Sequence, residues 1–135
     1  MTGDERSRRG ARDRDRGHCG EEHAAAHLES LGWRVLARNW RGRRGELDLV
    51  ALDGETVCFV ECKTVGAPDP ALGGERVDPR QRRRIALAAI EWLSAHGGEE
   101  REARVDLVVI SGPERACTLH RDVLRLDEVL GDEYR

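Results

Sequence analysis

The sequence predicts a single α/β domain in which helices flank a mixed β-sheet, and three patterns support this prediction. Apolar residues recur at helical spacing in two segments, near residues 20–31 and 79–96. Two apolar strand-like segments flank the dipeptide Asp53-Gly54, which is a strong hairpin signal. A continuous apolar run from Val105 to Ile110 follows the second helix, so we expect it to enter the sheet through a parallel, right-handed crossover. A length of 135 residues fits one compact domain.

The first helix and the first strand are predicted between residues 20 and 39. Ala24 and Leu28 belong to an apolar stripe of helical period, and Gly32 provides a C-terminal stop, which gives a helix from Gly20 to Leu31. The segment from Trp33 to Asn39 alternates apolar and polar residues, as an edge or half-buried strand does. The two strands of the predicted hairpin follow.

The second helix has clear signals at both ends. Asp78 is a favourable N-cap, Pro79 suits the first helical position, and Gly97 marks the end. A loop rich in glycine and proline precedes it at residues 66–77. Two shorter elements complete the prediction: a weak strand over Ala116–Leu119 and a terminal helix over Val123–Leu130.

The first 17 residues contain almost no apolar side chains, so we predict a disordered tail at residues 1–17 and a folded domain at residues 18–131. No stretch reaches the roughly 18 apolar residues that a membrane span needs, and the charged start lacks a signal-peptide core. The four cysteines form no Cys-x-x-Cys pair, which favours reduced thiols. We therefore expect a cytoplasmic protein without a membrane partner.

Charge is distributed unevenly along the chain. The formal net charge is −3, which excludes a globally basic nucleic-acid binder. Local clusters of arginine can nevertheless hold phosphates on an acidic protein. Two such clusters occur, and each of them, taken alone, is more simply explained as a solvated surface in an arginine-rich chain. One cluster comprises Arg34, Arg38, Arg41, Arg43 and Arg44, and the other Arg76, Arg80, Arg82, Arg83 and Arg84.

The only lysine of the chain lies beside an acid on an apolar strand. The chain has 22 arginines but a single lysine, Lys63, which follows Glu61 by two residues and therefore shares its strand face. If Asp53-Gly54 forms the turn, cross-strand partners sum to 107, so Glu46 faces Glu61 and Asp48 lies diagonal to Glu61. Diagonal neighbours have β-carbons within roughly 7 Å, close enough for two carboxylates to share a divalent cation. A three-residue turn would instead separate Asp48 from Glu61.

Hard oxygen ligands favour Mg²⁺ or Mn²⁺, which keep several waters and bind phosphate. Lys63 could deprotonate a metal-bound water or neutralise charge on the transition state. The alternative is that Glu61 and Lys63 form an exposed pair at a strand end, since Glu-x-Lys alone is common. The acid on the neighbouring strand favours the metal site.

Several segments together resemble a known family. They are Gly20-Glu21, Asn39-Trp40-Arg41, Gly45-Glu46-Leu47-Asp48-Leu49 and Phe59-Val60-Glu61-Cys62-Lys63-Thr64. With the element order αβββαβ, they resemble the PD-(D/E)XK nuclease superfamily and, more closely, the small bacterial YraN-type family of endonuclease-like proteins. The resemblance runs from about residue 18 to about residue 127 and implies a restriction endonuclease-like core.

The relation of that family to Holliday-junction resolvases implies roles for the acidic residues. It implies a metal held by Asp48, Glu61 and the backbone carbonyl of Cys62, with Lys63 beside the attacking water. Glu21 matches a helix acid that serves the site through water or a second metal, although an acid in a first helical turn also favours the helix dipole.

Glu46 also matches the family, and we include it among the candidate catalytic residues. The chain departs from the family at Val65, where a basic residue is usual, and at Arg80, where lysine commonly precedes Gln81. These departures concern phosphate contacts rather than the metal ligands.

We expect DNA to contact the residues around the acidic motif. Trp40 is the best candidate of the three tryptophans for base stacking, although a tryptophan is more often a core residue. The candidate nucleic-acid-binding residues are Arg38, Trp40, Arg41, Arg43, Arg44, Arg80, Gln81, Arg83 and Arg84.

The function that these patterns favour is Mg²⁺-dependent hydrolysis of phosphodiester bonds in DNA, with structured or branched DNA as a candidate substrate. The alternative is a non-catalytic nucleic-acid-binding accessory protein that retains the fold. A third candidate is an interaction module without a nucleic-acid role. A homodimer is also compatible with the sequence.

Overall fold

A computed structural model of the chain describes residues 20–66, 78–98 and 100–131, which form an α/β fold around a five-stranded mixed sheet. The described part of helix α1 covers residues 20–30. It is followed by β1 (Arg34–Arg41), β2 (Glu46–Asp53), β3 (Thr56–Val65), α2 (Pro79–Ala95), β4 (Ala103–Ser111), β5 (Ala116–Leu124) and α3 (Leu126–Leu130). The predicted tail at residues 1–17 and most of the predicted loop at 66–77 lie outside the described residues.

The strands follow chain order across the sheet, and only one neighbouring pair is parallel. The order is β1-β2-β3-β4-β5, with β3 and β4 parallel and the other neighbours antiparallel. Helix α2 makes the crossover from β3 to β4. The predicted αβββαβ order and mixed sheet are therefore confirmed, and β1 is an edge strand as expected.

Apolar side chains cover both faces of the sheet. On one face α1 packs over Leu49 and Val60, and on the other face α2 packs over Phe59. Phe59 and Trp92 of α2 meet edge to face, with ring centroids 5.9 Å apart. Because successive residues of β3 point to opposite faces, the continuous apolar run of this strand serves both layers.

Helix α2 begins and ends as its sequence predicts. The Asp78 side chain accepts hydrogen bonds from the backbone of Arg80 (2.9 Å) and Gln81 (3.0 Å), Pro79 opens the helix, and Gly97 follows it with φ +65°. This cap fixes the start of α2 over the ends of β2 and β3. None of the described helices is long and apolar enough to cross a membrane.

The turn between β2 and β3 lies one residue later than predicted. Asp53 pairs with Thr56, so Gly54 and Glu55 form the turn and cross-strand partners sum to 109 rather than 107. Gly54 has φ +62°, the left-handed value that a type II′ turn requires at its first central position. Because the register moves by two residues, the paired residues 49–53 keep the faces that the sequence predicted.

The predicted boundaries of the last strand and the last helix are wrong. Strand β5 continues to Leu124, and helix α3 starts at Leu126 rather than Val123. The strand continues through a bulge at Asp122, whose backbone has φ +55° and donates to the fully buried Asp106 carboxylate at 2.8 Å. A buried side chain thus satisfies the backbone group that the bulge releases, which no local pattern signals.

Candidate metal centre and nucleic-acid interface

Asp48 lies where strands β2 and β3 separate. The paired register ends at Leu49 and Val60, and one step further it aligns Asp48 with Glu61. The Cys62 backbone N–H donates to Oδ2 of Asp48 at 2.9 Å. The separation of the strands therefore leaves room for a carboxylate between them, and this hydrogen bond fixes its orientation.

Glu61 faces Asp48 from β3 in a poorly hydrated position. Its Oε1 is 3.5 Å from Nε2 of Gln81 on α2, and its Oε2 is buried without a hydrogen-bond donor in the described part of the chain. Burial, followed by the adjoining Asp48 carboxylate, raises the pKa of Glu61 well above its ordinary value. Glu21 raises it further, whereas the hydrogen bond from Gln81 lowers it.

Helix α1 brings a third acid toward this pair. A β-carbon at Gly20 would lie 2.8 Å from Oγ1 of Thr64 on β3, so glycine allows α1 to approach the strand closely. The next residue, Glu21, is only 7% exposed. Its charge raises the pKa of both Glu61 and Cys62, so it lies within electrostatic reach of the acidic pair.

Cys62 takes part in the site through its backbone. Burial and the charges of Asp48, Glu61 and Glu21 raise the pKa of its thiol, which keeps the thiol neutral. The N–H and C=O of a strand residue point to the same edge. Because the N–H points to Asp48, the carbonyl of Cys62 also points to the gap between β2 and β3.

Lys63 and Glu46 lie at the periphery of the acidic pair. Val57 and Phe59 before Lys63 pack on the α2 side of the sheet, so alternation along β3 directs half-buried Lys63 to that side. Glu46, at the start of β2, is exposed. Glu46 lines the cleft described next, whereas Lys63 does not belong to its wall.

An open cleft of about 490 Å³ lies between the end of the sheet and the start of α2. Among residues 20–66, 78–98 and 100–131, no three His, Cys, Asp or Glu side chains are arranged to hold a metal ion together. Asp48 and Glu61 both line this cleft. Its walls are Glu46, Asp48, Glu61, Asp78, Arg80, Gln81, Arg84 and Ile85.

The structure separates the arginines that the sequence grouped together. Arg80 and Arg84 line the acidic cleft, together with Gln81. Arg83 instead lines a second cleft, between α2 and the segment from β5 to α3. Arg38 lies near Glu29 of α1, with 3.7 Å between Nη2 and Oε1, away from the cleft wall.

Three further candidates, Arg41, Arg43 and Arg44, are exposed where β1 leads to β2. Trp40 belongs to β1, which continues past the predicted strand end at Asn39, and packs against the core beneath α2. This packing gives Trp40 a structural role, and base stacking by its partly exposed ring stays a prediction.

The structure also identifies a residue that the sequence reasoning did not assign to the site. Asn39 has φ +50° and aligns with Asp48 on β2. Ala37 and Trp40, three residues apart, both pack on the α2 side, although a regular strand would send them to opposite faces. The left-handed backbone of Asn39 therefore changes the face to which the side chains of β1 point, and this change occurs directly beside Asp48. The available signal was the residue type, because asparagine tolerates this conformation better than most residues.

Comparison with known proteins places the chain in a family. A protein from Nitratidesulfovibrio vulgaris is 38% identical over 117 residues, which cover 85% of this chain and 87% of the relative. A protein from Halorhodospira halophila is 44% identical over 101 residues, covering 75% of this chain and 81% of the relative. Both are described as UPF0102 proteins. The family model described as uncharacterised protein family UPF0102 matches residues 20–110, and the chain belongs to this family.

Proposed function

We propose that the chain is a Mg²⁺- or Mn²⁺-dependent endonuclease that hydrolyses phosphodiester bonds in DNA. The observation that carries this proposal is the convergence of Asp48 and Glu61 at the point where β2 and β3 separate. Two neighbouring carboxylates in a half-buried position destabilise each other unless a proton or a cation lies between them.

The donors at this point suit a hard divalent cation. Glu61 Oε2 is buried without a donor within the described residues, and Asp48 already satisfies the Cys62 N–H through Oδ2. We expect Asp48, Glu61 and the Cys62 carbonyl to hold the ion. Mg²⁺ usually keeps several waters and needs only one or two carboxylates, so the absence of a three-side-chain cluster in the described ranges is compatible with this site. Such an ion supplies a polarised water and stabilises charge on the phosphate oxygens.

The surrounding residues support this chemistry through position and charge. The Cys62 N–H holds the Asp48 carboxylate in one orientation, and the Gln81 amide holds Glu61 from the side of α2. Lys63 lies two residues after Glu61 on the same strand, where its ammonium would orient the attacking water, or its amine in the neutral form would accept the proton of that water. Glu21 would act through a water molecule or a second ion.

The basic residues beside the cleft favour a polyanionic substrate. Arg80 and Arg84 line the same cleft as the two acids, so a phosphodiester there would meet positive charge on the α2 side. A purely acidic site would repel the substrate. Arg43 and Arg44 extend this basic surface, because their turn contacts α2 at Arg84 and Glu91, and exposed Arg41 precedes the turn. The preference for structured or branched DNA is part of the proposal on the basis of family resemblance.

The proposal is tested by a cleavage screen of linear, flapped and four-way DNA with Mn²⁺ or Mg²⁺, run beside Asp48→Asn. The wild-type chain should cut at least one of these DNAs only with the metal, and Asp48→Asn should lose both metal binding and cleavage. An amide is a poor replacement for a hard anionic ligand. Metal-independent DNA binding without cleavage of any substrate would refute the proposal and favour a non-catalytic accessory protein.

A further inference from the structure

A short turn between β1 and β2 lies flat against helix α2. The backbone N–H of Gly42 donates to the carbonyl of Gly45 at 2.8 Å, which closes the turn around Arg43 and Arg44. A β-carbon at Gly45 would collide with the backbone carbonyl of Arg84. Only glycine allows this close approach, so the turn and the helix form one surface. We call residues 42–45 the arginine turn.

One acid fastens the arginine turn to the helix. Both carboxylate oxygens of Glu91 accept from the backbone N–H of Arg43, at 2.8 Å and 3.0 Å. A β-carbon at Gly42 would collide with this carboxylate, so the turn is shaped to receive it. Glu91 bonds to the backbone, and within the described residues no carboxylate lies in ion-pair range of the Arg43 or Arg44 guanidinium.

We infer that Glu91 is a positioning residue that holds Arg43 and Arg44 as a preorganised contact for the DNA backbone. This inference rests on the proposed function. It specifies a second region of the chain, distant from the acidic pair, that holds the substrate. Glu91 follows Gln81 by ten residues, about 15 Å along the helix axis. The arginine turn therefore contacts phosphates that flank the reacting one, on the same side of the molecule as Arg84.

The sign of the effect of Glu91 on DNA affinity separates this role from that of an ordinary surface acid. Removing a negative charge near DNA normally strengthens binding, because the acid repels phosphates. If Glu91 positions the arginine turn, then Glu91→Ala should weaken binding instead. The charge-matched control is Glu55→Ala, at the exposed β2–β3 turn on the far end of the sheet, which should leave binding unchanged or slightly stronger.

The experiment measures binding of a labelled short duplex in EDTA at several salt concentrations. Glu91→Ala should reduce affinity severalfold and make the slope of log affinity against log salt shallower by about one to two, the loss of one or two phosphate contacts. Glu91→Gln keeps an oxygen acceptor for the Arg43 N–H and should recover most of the affinity. Hydrogen exchange at the Arg43 amide gives a readout without DNA, and this amide should exchange faster in Glu91→Ala.

The outcomes distinguish the inference from the function on which it rests. Equal or tighter binding by Glu91→Ala with an unchanged salt slope, while the wild-type chain binds normally, would overturn the role of Glu91 alone. Unchanged exchange at the Arg43 amide would do the same. A wild-type chain without any salt-dependent affinity for DNA would overturn the proposed function and, with it, the partner assigned to the arginine turn.

Discussion

Replacing Glu61 with glutamine should stabilise the metal-free protein at neutral pH. Glu61 is half-buried, with its Oε2 removed from solvent, and lies beside Asp48; desolvation and this neighbouring carboxylate raise its pKa above the ordinary value of about 4.5. The folded state therefore favours the protonated form, whereas the unfolded chain ionises. Glutamine has the same shape, stays neutral at every pH, and can donate to Asp48 while accepting from Gln81. Loss of this proposed metal ligand would thus increase the free energy of unfolding of the metal-free protein. Functional residues commonly lower the stability of the fold in this way.

The sign and size of the pH effect follow from proton linkage. Because the folded pKa is raised, the stabilisation by protonated Glu61 is fully present below about pH 4.5 and is lost as pH rises through the folded pKa. Across that window the free energy of unfolding of the wild-type chain should fall by about 1.4 kcal/mol per pH unit relative to Glu61→Gln. Above the folded pKa the two curves should run parallel.

The assay is urea unfolding of both proteins in EDTA between pH 4 and pH 8, repeated with Mn²⁺. At a free metal concentration ten times the dissociation constant, the wild-type chain should gain about 1.4 kcal/mol at neutral pH, and Glu61→Gln should gain far less. Identical pH dependence of the two chains in EDTA would refute the argument that Glu61 is held against its tendency to ionise. Equal stabilisation of both by Mn²⁺ would remove Glu61 from the proposed ligands.

Three further predictions concern catalysis, substrate binding and backbone geometry. Lys63→Met should reduce cleavage far more than DNA affinity, and full cleavage by Lys63→Arg would show that only a positive charge is needed there. Neutralising Arg80 and Arg84 together should make the slope of log DNA affinity against log salt shallower by about two. An unchanged slope would show that these arginines do not contact DNA. Asn39→Val should cost about 1–3 kcal/mol in urea unfolding and weaken Mn²⁺ binding at Asp48, whereas Asn39→Gly should preserve both, since glycine tolerates a positive φ. Equal behaviour of the valine and glycine variants would contradict a role for the Asn39 backbone.

The elements whose signals are local agree well with the sequence. The Asp78 cap, Pro79 and the glycine after the helix predict α2, and apolar runs predict β3 and β4. Errors occur where a distant residue decides the outcome. The extension of β5 depends on Asp106 of β4 accepting the Asp122 N–H, an interaction between residues 16 positions apart that leaves no periodic pattern.

The hairpin register is a second such case. The sequence places the turn at Asp53-Gly54, whereas the structure uses Gly54 and Glu55, and so aligns Asp48 directly with Glu61 instead of diagonally. The faces of the paired residues survive this error because strand periodicity is two residues and the register moved by two. The distance between the two carboxylates does not follow from periodicity, since it depends on where the strands separate.

The sequence by itself determined the order of the elements, the strands that carry the acids, and the family resemblance, because these follow from residue spacing along one chain. Only the tertiary structure decided which charged residues share a cleft. Arg80 and Arg84 reach the acids, Arg83 faces another cleft and Arg38 lies by α1, although all four belong to arginine-rich segments. The physical reason is that the direction of a helical or strand side chain depends on how the element is rotated against the sheet. Packing over both faces and the contact of the arginine turn with α2 fix that rotation.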